Sequence, residues 1–330
     1  MRVLFIGGTG IISTAVSRLA VARGVDLWLC NRGEHPVAIA GARHVRANIN
    51  DAAAVRAALG DEHFDAVVDW VAFEPSHVER DMALFAKRTK QYVFISSASA
   101  YEKPPRTPII TESTPLKNPF WDYSRNKIAC EDLLVRAYRE RDFPATIVRP
   151  SLTYDTVLPI AIGGWGCATL LDRLKSGRPI IVHGDGTSLW TVTHADDFAK
   201  GFVPLLGHPG AIGQSYHITT DEVLTWNQIY TAIAETVGVT PNVVHIPSEF
   251  IAEVEPEMGP GLLGDKTHST VFDNSKIKRI VPDFVATIPF HVGIRRTIAW
   301  FEADPRRWVV HPQVNAAMDR VIAAWHKTGQ

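Results

Sequence analysis

"RVLFIGGTGIIS", residues 2–13, is the stretch whose reading decides the fold. A short apolar run enters a glycine-rich turn, and the turn enters "ISTAVSRLAVARG" (12–24), where apolar residues recur at helical spacing. Strand, glycine turn and helix in that order open a dinucleotide-binding βαβ unit. Gly7 and Gly10 fit the first two glycines of a G-x-x-G-x-x-G turn, with Ser13 at the third place. There the backbone turns sharply and approaches a pyrophosphate at a helix N-terminus, so Thr9, Ile11 and Ile12 join the predicted cradle. The competing reading is an ordinary strand-to-helix turn. Its position at the head of a βαβ pattern favours the nucleotide.

Downstream the alternation continues. "DLWLCN" (26–31), "AVVDWVAF" (66–73), "QYVFISS" (91–97) and "ATIVRP" (145–150) read as strands, with helical patterns such as "DAAAVRAALG" (51–60) and "SHVERDMALFAKR" (76–88) between them. Continuous apolar strands separated by helices predict a doubly wound α/β fold, a parallel sheet covered on both faces. Beyond Arg149 glycine and proline become dense, in "PIAIGGWG" (159–166) and "KSGRPIIVHGDGT" (175–187). "HADDFAKGFV" (194–203) and "GQSYHIT" (213–219) again resemble a helix and strand of the sheet. The expected division is therefore residues 1–154 plus about 193–220 in a Rossmann domain. Residues from about 155–192 and 221–330 would form a smaller mixed α/β substrate lobe, with substrate in the cleft.

Composition bounds the partners. Thirty-four basic and 35 acidic residues leave a formal charge of −1, with no long run of one sign. That is no electrostatic footprint for nucleic acid or an anionic membrane. Cys30, Cys130 and Cys167 are too few and scattered for a disulfide framework or a zinc site, so no metal is expected and a reducing cytoplasm is the natural compartment. No stretch approaches eighteen apolar residues, and the N-terminus lacks signal-peptide features.

An NAD site usually carries Asp or Glu at the end of the second strand, gripping the ribose 2′-hydroxyl. Here "CNRG" (30–33) places Asn31 and Arg32 there. A guanidinium suits a 2′-phosphate, which leans the reading to NADP; Asn31 holding the hydroxyl of NAD is the alternative. Further on, "WDYSRNK" (121–127) sets Tyr123 and Lys127 four apart, on one face if helical. The pair is either an acid/base with its tuning cation or an exposed helix face.

These segments resemble, nearly end to end, an extended short-chain dehydrogenase/reductase of the NAD-dependent epimerase/dehydratase family. "ANIND" (47–51), "VVDWVA" (67–72), "YVFISSASAY" (92–101), "YSRNK" (123–127), "TIVRPSLTY" (146–154), "GDGTSLWTVTHADDFA" (184–199) and "YHITTDEVLTW" (216–226) follow family segments in order. The resemblance implies that Asn48, with Ile49, meets the adenine, and that Val71, Ala72 and Pro150 contact the cofactor. It implies Ser97 as the catalytic hydroxyl, counted four back from Tyr101, with Ser96 and Ser99 able to take its place. It makes "YSRNK" the Y-x-x-x-K pair, and Tyr123 and Lys127 then also touch the cofactor.

On that reading Ser97 orients the substrate oxygen, Tyr123 moves its proton, and Lys127 lowers the phenol's pKa. Dehydration is disfavoured, because Ala98 and Ser99 stand where sugar dehydratases carry Asp-Glu. Leu152 stands where nucleotide-sugar enzymes present an Asn, which argues against a nucleotide-diphosphate sugar. The expected function is NAD(P)-dependent hydride transfer on a secondary alcohol or ketone of a small sugar-like substrate, in a chain that could be a homodimer. A nucleotide-sugar epimerase with internally recycled cofactor is the alternative. A non-catalytic cofactor sensor or RNA-binding relative is the alternative of another class. His183 and His194 read as structural, and Asp196 and Asp197 as helix N-terminal residues. Trp70, Phe73, Trp165 and Trp190 could wall the cleft or fill the core. Arg173 and Arg178 could meet an anion or water.

Overall fold

In the computed structural model, which describes residues 1–34 and 37–328, the first strand shows why the sheet is covered on both sides. β1 (Arg2–Ile6) sends Val3 and Phe5 into one apolar layer and Leu4 and Ile6 into the other, and all four are buried. A strand alternates its side chains, so an unbroken apolar run needs a layer on each face. The same holds along β2 (Asp26–Asn31), β4 (Ala66–Asp69), β5 (Tyr92–Ile95) and β6 (Ala145–Arg149), while β3 (Arg43–Arg46) and β7 (Ser215–His217) lie at the edges. The seven strands are parallel in the order β7-β6-β5-β4-β1-β2-β3. The order reverses between β1 and β4, the place where open α/β sheets form their ligand crevice.

One face is covered by α1 (Ile11–Ala22) and by a helix at Ala195–Phe202. The other is covered by α2 (Ala52–Leu59), α3 (Pro75–Phe85) and α4 (Asp122–Arg141). Asp51 caps α2 by accepting the amides of Ala53 and Ala54 at 3.1 and 3.0 Å. α4 begins at Asp122, whose carboxylate in the first turn complements the helix dipole. Tyr123 is therefore inside the helix rather than before it.

A second apolar core gathers side chains from 154–192 and from 226–322, with Trp190, Trp226, Tyr230 and Met318 almost fully buried. Trp190 is thus core. Arg173, fully buried there, donates to the Pro179 carbonyl, to Asn315 and to Asp319, so it neither faces solvent nor meets a ligand. His194 caps the helix at Ala195–Phe202, and the fully buried Asp197 accepts the amides of Thr287 and Ile288.

The position of α4 rests on a buried ion pair. Arg149 at the end of β6 donates to both carboxylate oxygens of Glu131 at 2.6–3.2 Å, and Ser96 after β5 donates to the same carboxylate at 2.5 Å. Arg149 also lies 4.8 Å from the Tyr101 ring centre, and the Tyr101 hydroxyl meets His217 Nδ1 at 3.0 Å. Removing one partner of such a pair strands a buried charge and costs about 3–5 kcal/mol. Glu131→Leu is expected to lower unfolding free energy by that amount in a urea titration; a loss under about 1 kcal/mol would show that the pair does not anchor the helix.

Candidate active site

The crevice at the carboxyl ends of β1 and β4 opens into a cavity of about 1010 Å³ that extends to the second lobe. Gly7 and Gly8 build its floor with φ of +94° and +91°. A Cβ on Gly8 would stand 2.6 Å from Leu29 Cδ2, so the turn cannot take a side chain there. Gly8 carries as much of the turn as Gly7, which the glycine spacing alone did not show. Gly10 differs: its φ is −84°, and a Cβ would meet only Ser13 Oγ, at 3.4 Å. The fold does not need glycine at that position. What a side chain would fill is the space over the first turn of α1, where amides without helical partners face an anion. Ser13, in place of the third glycine, accepts the Gly10 amide at 2.8 Å. The cradle fits a dinucleotide pyrophosphate.

Thr9, Ile11 and Ile12 line the cavity beside this cradle, and Asn31, Arg32, Asn48 and Ile49 line its adenosine end. Asn31 Oδ1 accepts the Gly33 amide at 3.0 Å, and Asn48 Oδ1 accepts that of Asn50 at 3.1 Å, so both are fixed with their amide nitrogens to spare. Arg32 is exposed and paired with Glu34 at 3.0 Å. Arg46, at the end of β3, donates through Nε to the Arg32 carbonyl at 3.2 Å and lies over Gly33. Among the described residues its terminal nitrogens have no partner. No spacing rule pointed to it, because it approaches from a neighbouring strand.

The turn after β4 is held by Asp69, fully buried, which accepts the amides of Val71 and Ala72 at 2.5 and 2.8 Å. Arg80 pairs with both Asp69 and Asp81, the latter pushed up first by burial and then by the Asp69 charge. Val71 lines the cavity, as does Pro150. Ala72 does not: it is buried behind the wall, and its carbonyl accepts from Lys127 instead.

At the other end stand Ser97, Tyr123 and Lys127, on the cavity wall together. The structure separates the serines. Ser96 is committed to Glu131, and Ser99 is buried, accepting from Ser124 at 2.7 Å. Ser97 is half-buried on the cavity wall, its Oγ 2.9 Å from that of Ser99 and accepting the Ser99 amide at 3.2 Å. Tyr123, Lys127 and Glu131 lie four apart along one face of α4, so the anchored carboxylate sets the register of the other two. Lys127 Nζ donates to the Ala72 and Ile95 carbonyls at 2.6 and 2.7 Å and stands 5.7 Å from the Tyr123 ring centre.

The electrostatics differ from the expectation in one respect. The Tyr123 hydroxyl is pushed above its ordinary value of 10.0, by burial first, with Ser97 opposing and the Asp265 charge adding. In this arrangement the Lys127 ammonium donates to the Ala72 and Ile95 carbonyls, and burial sets the direction of the phenol's shift. Burial pushes Lys127 itself down to about 8. Of the four aromatics, Phe73 and Trp165 are exposed on the cavity wall, while Trp70 lines it and also packs on Phe5 and Phe202. Trp121, Asp265 and Lys266 also line it, and sequence reasoning missed them. No helix of the described residues is long and apolar enough to cross a membrane, and no group of metal-ligating side chains occurs among them.

The two glycines are expected to fail differently. Gly8→Ala should destabilise the fold in a thermal melt, whereas Gly10→Val should melt normally and lose dinucleotide binding by calorimetry; normal binding in Gly10→Val would place the pyrophosphate elsewhere.

Lys127 predicts a pH dependence. Its pKa is about 8 when folded and 10.5 in the free side chain, so between those values the unfolded chain binds a proton that the folded chain does not. Its contribution to stability therefore rises as pH climbs from 8 to 10.5. Relative to Lys127→Met, the native protein should gain up to about 3 kcal/mol across that window. A difference that stays flat with pH would show that the lysine is not desolvated.

Comparison with known proteins agrees with this geometry. Residues 3–219 match the NAD dependent epimerase/dehydratase family. The chain is 27% identical to 2′-dehydrokanamycin reductase of Streptomyces kanamyceticus, over 86% of this chain and 80% of that one. It is 28% identical to the chloroplast stem-loop binding protein of 41 kDa b of Arabidopsis thaliana, over 76% and 67%. Its fold superposes on a dTDP-glucose 4,6-dehydratase from Bacillus anthracis, solved in complex with NAD, with a TM-score of 0.71 at 18% identity over 93% and 98% of the chains. The chain belongs to the NAD-dependent epimerase/dehydratase family and is an NAD(P)-dependent enzyme of the extended short-chain dehydrogenase/reductase type.

Proposed function

We propose that the protein is a net reductase of a ketone on a sugar-like molecule, using NADP, with Ser97, Tyr123 and Lys127 as its catalytic residues. The segments from about 155–192 and 221–330 form its substrate lobe. The carrying observation is that Ser97, Tyr123 and Lys127 stand together on the wall of one cavity with the glycine cradle. A tyrosine phenol is protonated at neutral pH and can give its proton to a carbonyl oxygen placed beside it. Bound NADPH supplies the hydride. Ser97 donates a hydrogen bond to the same oxygen and orients it, while Lys127 supplies positive charge one helical turn away as the phenol becomes a phenolate. Ala98 and Ser99 offer no second acid/base pair for dehydration. The Streptomyces relative is by name a reductase, which supports this direction over internal cofactor recycling.

NADP is favoured by Arg32 at the adenosine end, where no carboxylate but Glu34 lines the cavity, with Arg46 beside the Arg32 carbonyl and Gly33. A 2′-phosphate would replace Glu34 as the partner of Arg32 and engage the spare nitrogens of Arg46.

The stem-loop-binding relative favours a second, RNA-binding reading. The charge of −1 and the assembled Ser97, Tyr123 and Lys127 weigh against it. Retention of a stem-loop RNA in a gel shift at physiological salt would revive it.

Tyr123→Phe should lower single-turnover NADPH oxidation with a ketone substrate at least about a hundredfold while cofactor still binds; near-native turnover would remove Tyr123 from the chemistry. Arg32→Ala and Arg46→Ala should each weaken NADP roughly tenfold or more and NAD little. Equal losses for both cofactors, measured by calorimetry, would reject the 2′-phosphate site.

A further inference from the structure

The catalytic end of the cavity carries side chains that neither cofactor binding nor proton transfer uses. Phe73 and Trp165 are 46% and 53% exposed on its wall and offer apolar faces to whatever fills the cavity. Trp165 sits in "GGWG" (163–166), where Gly163 and Gly164 take φ of +116° and +79°. The buried Tyr230 hydroxyl holds the loop's base, meeting both the amide and the carbonyl of Ile162 at 3.0 Å.

Another part of the wall is a π-helical turn, Leu262–Lys266, a geometry that recurs at functional sites. The turn packs closely on α4's entry, since a Cβ on Gly264 would lie 3.0 Å from that of Trp121. It brings Asp265 and Lys266 to the cavity as an ion pair. Lys103, buried, stands 3.8 Å from the Asp265 carboxylate.

This arrangement constrains charge. Among the described residues on the wall, Arg32 lies at the adenosine end, Arg80 is held by Asp69 and Asp81, and Lys127 is held by two carbonyls. Lys266 is the cation left at the substrate end, and Asp265 neutralises it. A diphosphate would bring further negative charge against Asp265 with no spare cation to receive it. An ammonium would meet Lys266, with the Asp265 carboxylate already paired. A hydroxyl suits the pair, because it donates to a carboxylate and accepts from an ammonium without adding charge. Leu152, on the same wall, adds no polar group for a phosphate.

We infer that the substrate is an uncharged sugar or polyol ring without a phosphate arm, with its apolar face against Trp165 and its hydroxyls bridging Asp265 and Lys266. The inference rests on the sugar-like reading of this cavity. It is tested by calorimetry on the protein loaded with NADP, titrated with the methyl glycosides of glucose, galactose and mannose, with glucosamine, with glucose 1-phosphate and with UDP-glucose. At least one methyl glycoside should bind tenfold or more tighter than any charged member. Asp265→Asn and Trp165→Ala should each weaken that glycoside at least tenfold and leave NADP affinity unchanged. Trp165 is exposed, so its variant keeps the test alive if the Asp265 variant does not fold. Tighter binding of UDP-glucose, glucose 1-phosphate or glucosamine overturns the inference, as does no glycoside binding or indifference to both substitutions. Binding needs no turnover: glycosides that bind without any ketone being reduced would leave this inference and refute the reductase, and reduction of a charged ketone would do the reverse.

Discussion

The Glu131–Arg149 ion pair is the constraint on which the site depends. Both side chains are almost fully buried, and neither could remain charged there alone. Together they tie α4 to the end of β6, and Ser96 ties the same carboxylate to the end of β5. A helix pinned at one residue still turns about its axis, and Lys127 supplies the second point through its bonds to the carbonyls of Ala72 and Ile95. Two fixed points four residues apart leave Tyr123, four further back, one place to stand. Precision at the reacting phenol is thus obtained from groups that do not react.

The opposite wall is organised by backbone rather than charge. Gly7 and Gly8 adopt conformations closed to other residues, and the helix that follows offers its free amides to an anion. The Asp69 carboxylate closes the neighbouring turn by accepting two amides, with Arg80 balancing its charge. The two walls meet where the strand order reverses, so a dinucleotide lying across the sheet would present its reactive end to Ser97 and Tyr123.

Much of this was legible in the sequence because its signals are local. The strand–glycine turn–helix stretch, the apolar runs and the Tyr123–Lys127 spacing each lie within one element or one turn. Nearly all the cofactor positions inferred from resemblance line a single cavity; Ala72 is the exception, since a strand-end turn can expose one residue and bury the next. What escaped is non-local. Arg46 reaches Gly33 from another strand, and Asp265 and Lys266 arrive from more than a hundred residues beyond Tyr123 on an irregular helical turn with no periodic signature. The choice among Ser96, Ser97 and Ser99 drew on the structure too, because only there is Ser96 seen committed to Glu131. The direction of the Tyr123 pKa also depended on burial and on Asp265, neither visible from a spacing of four.

The central claim is that α4 presents a protonated phenol, held above its ordinary pKa, to the substrate end of the cavity. The most direct measurement is a carbon-13 NMR titration of the protein labelled at tyrosine Cζ, with the Tyr123 signal assigned by its loss in Tyr123→Phe. The account predicts that this resonance titrates above pH 10, the ordinary tyrosine value. A midpoint below 10 would mean that the site stabilises the phenolate before substrate arrives, and would contradict a phenol raised by burial.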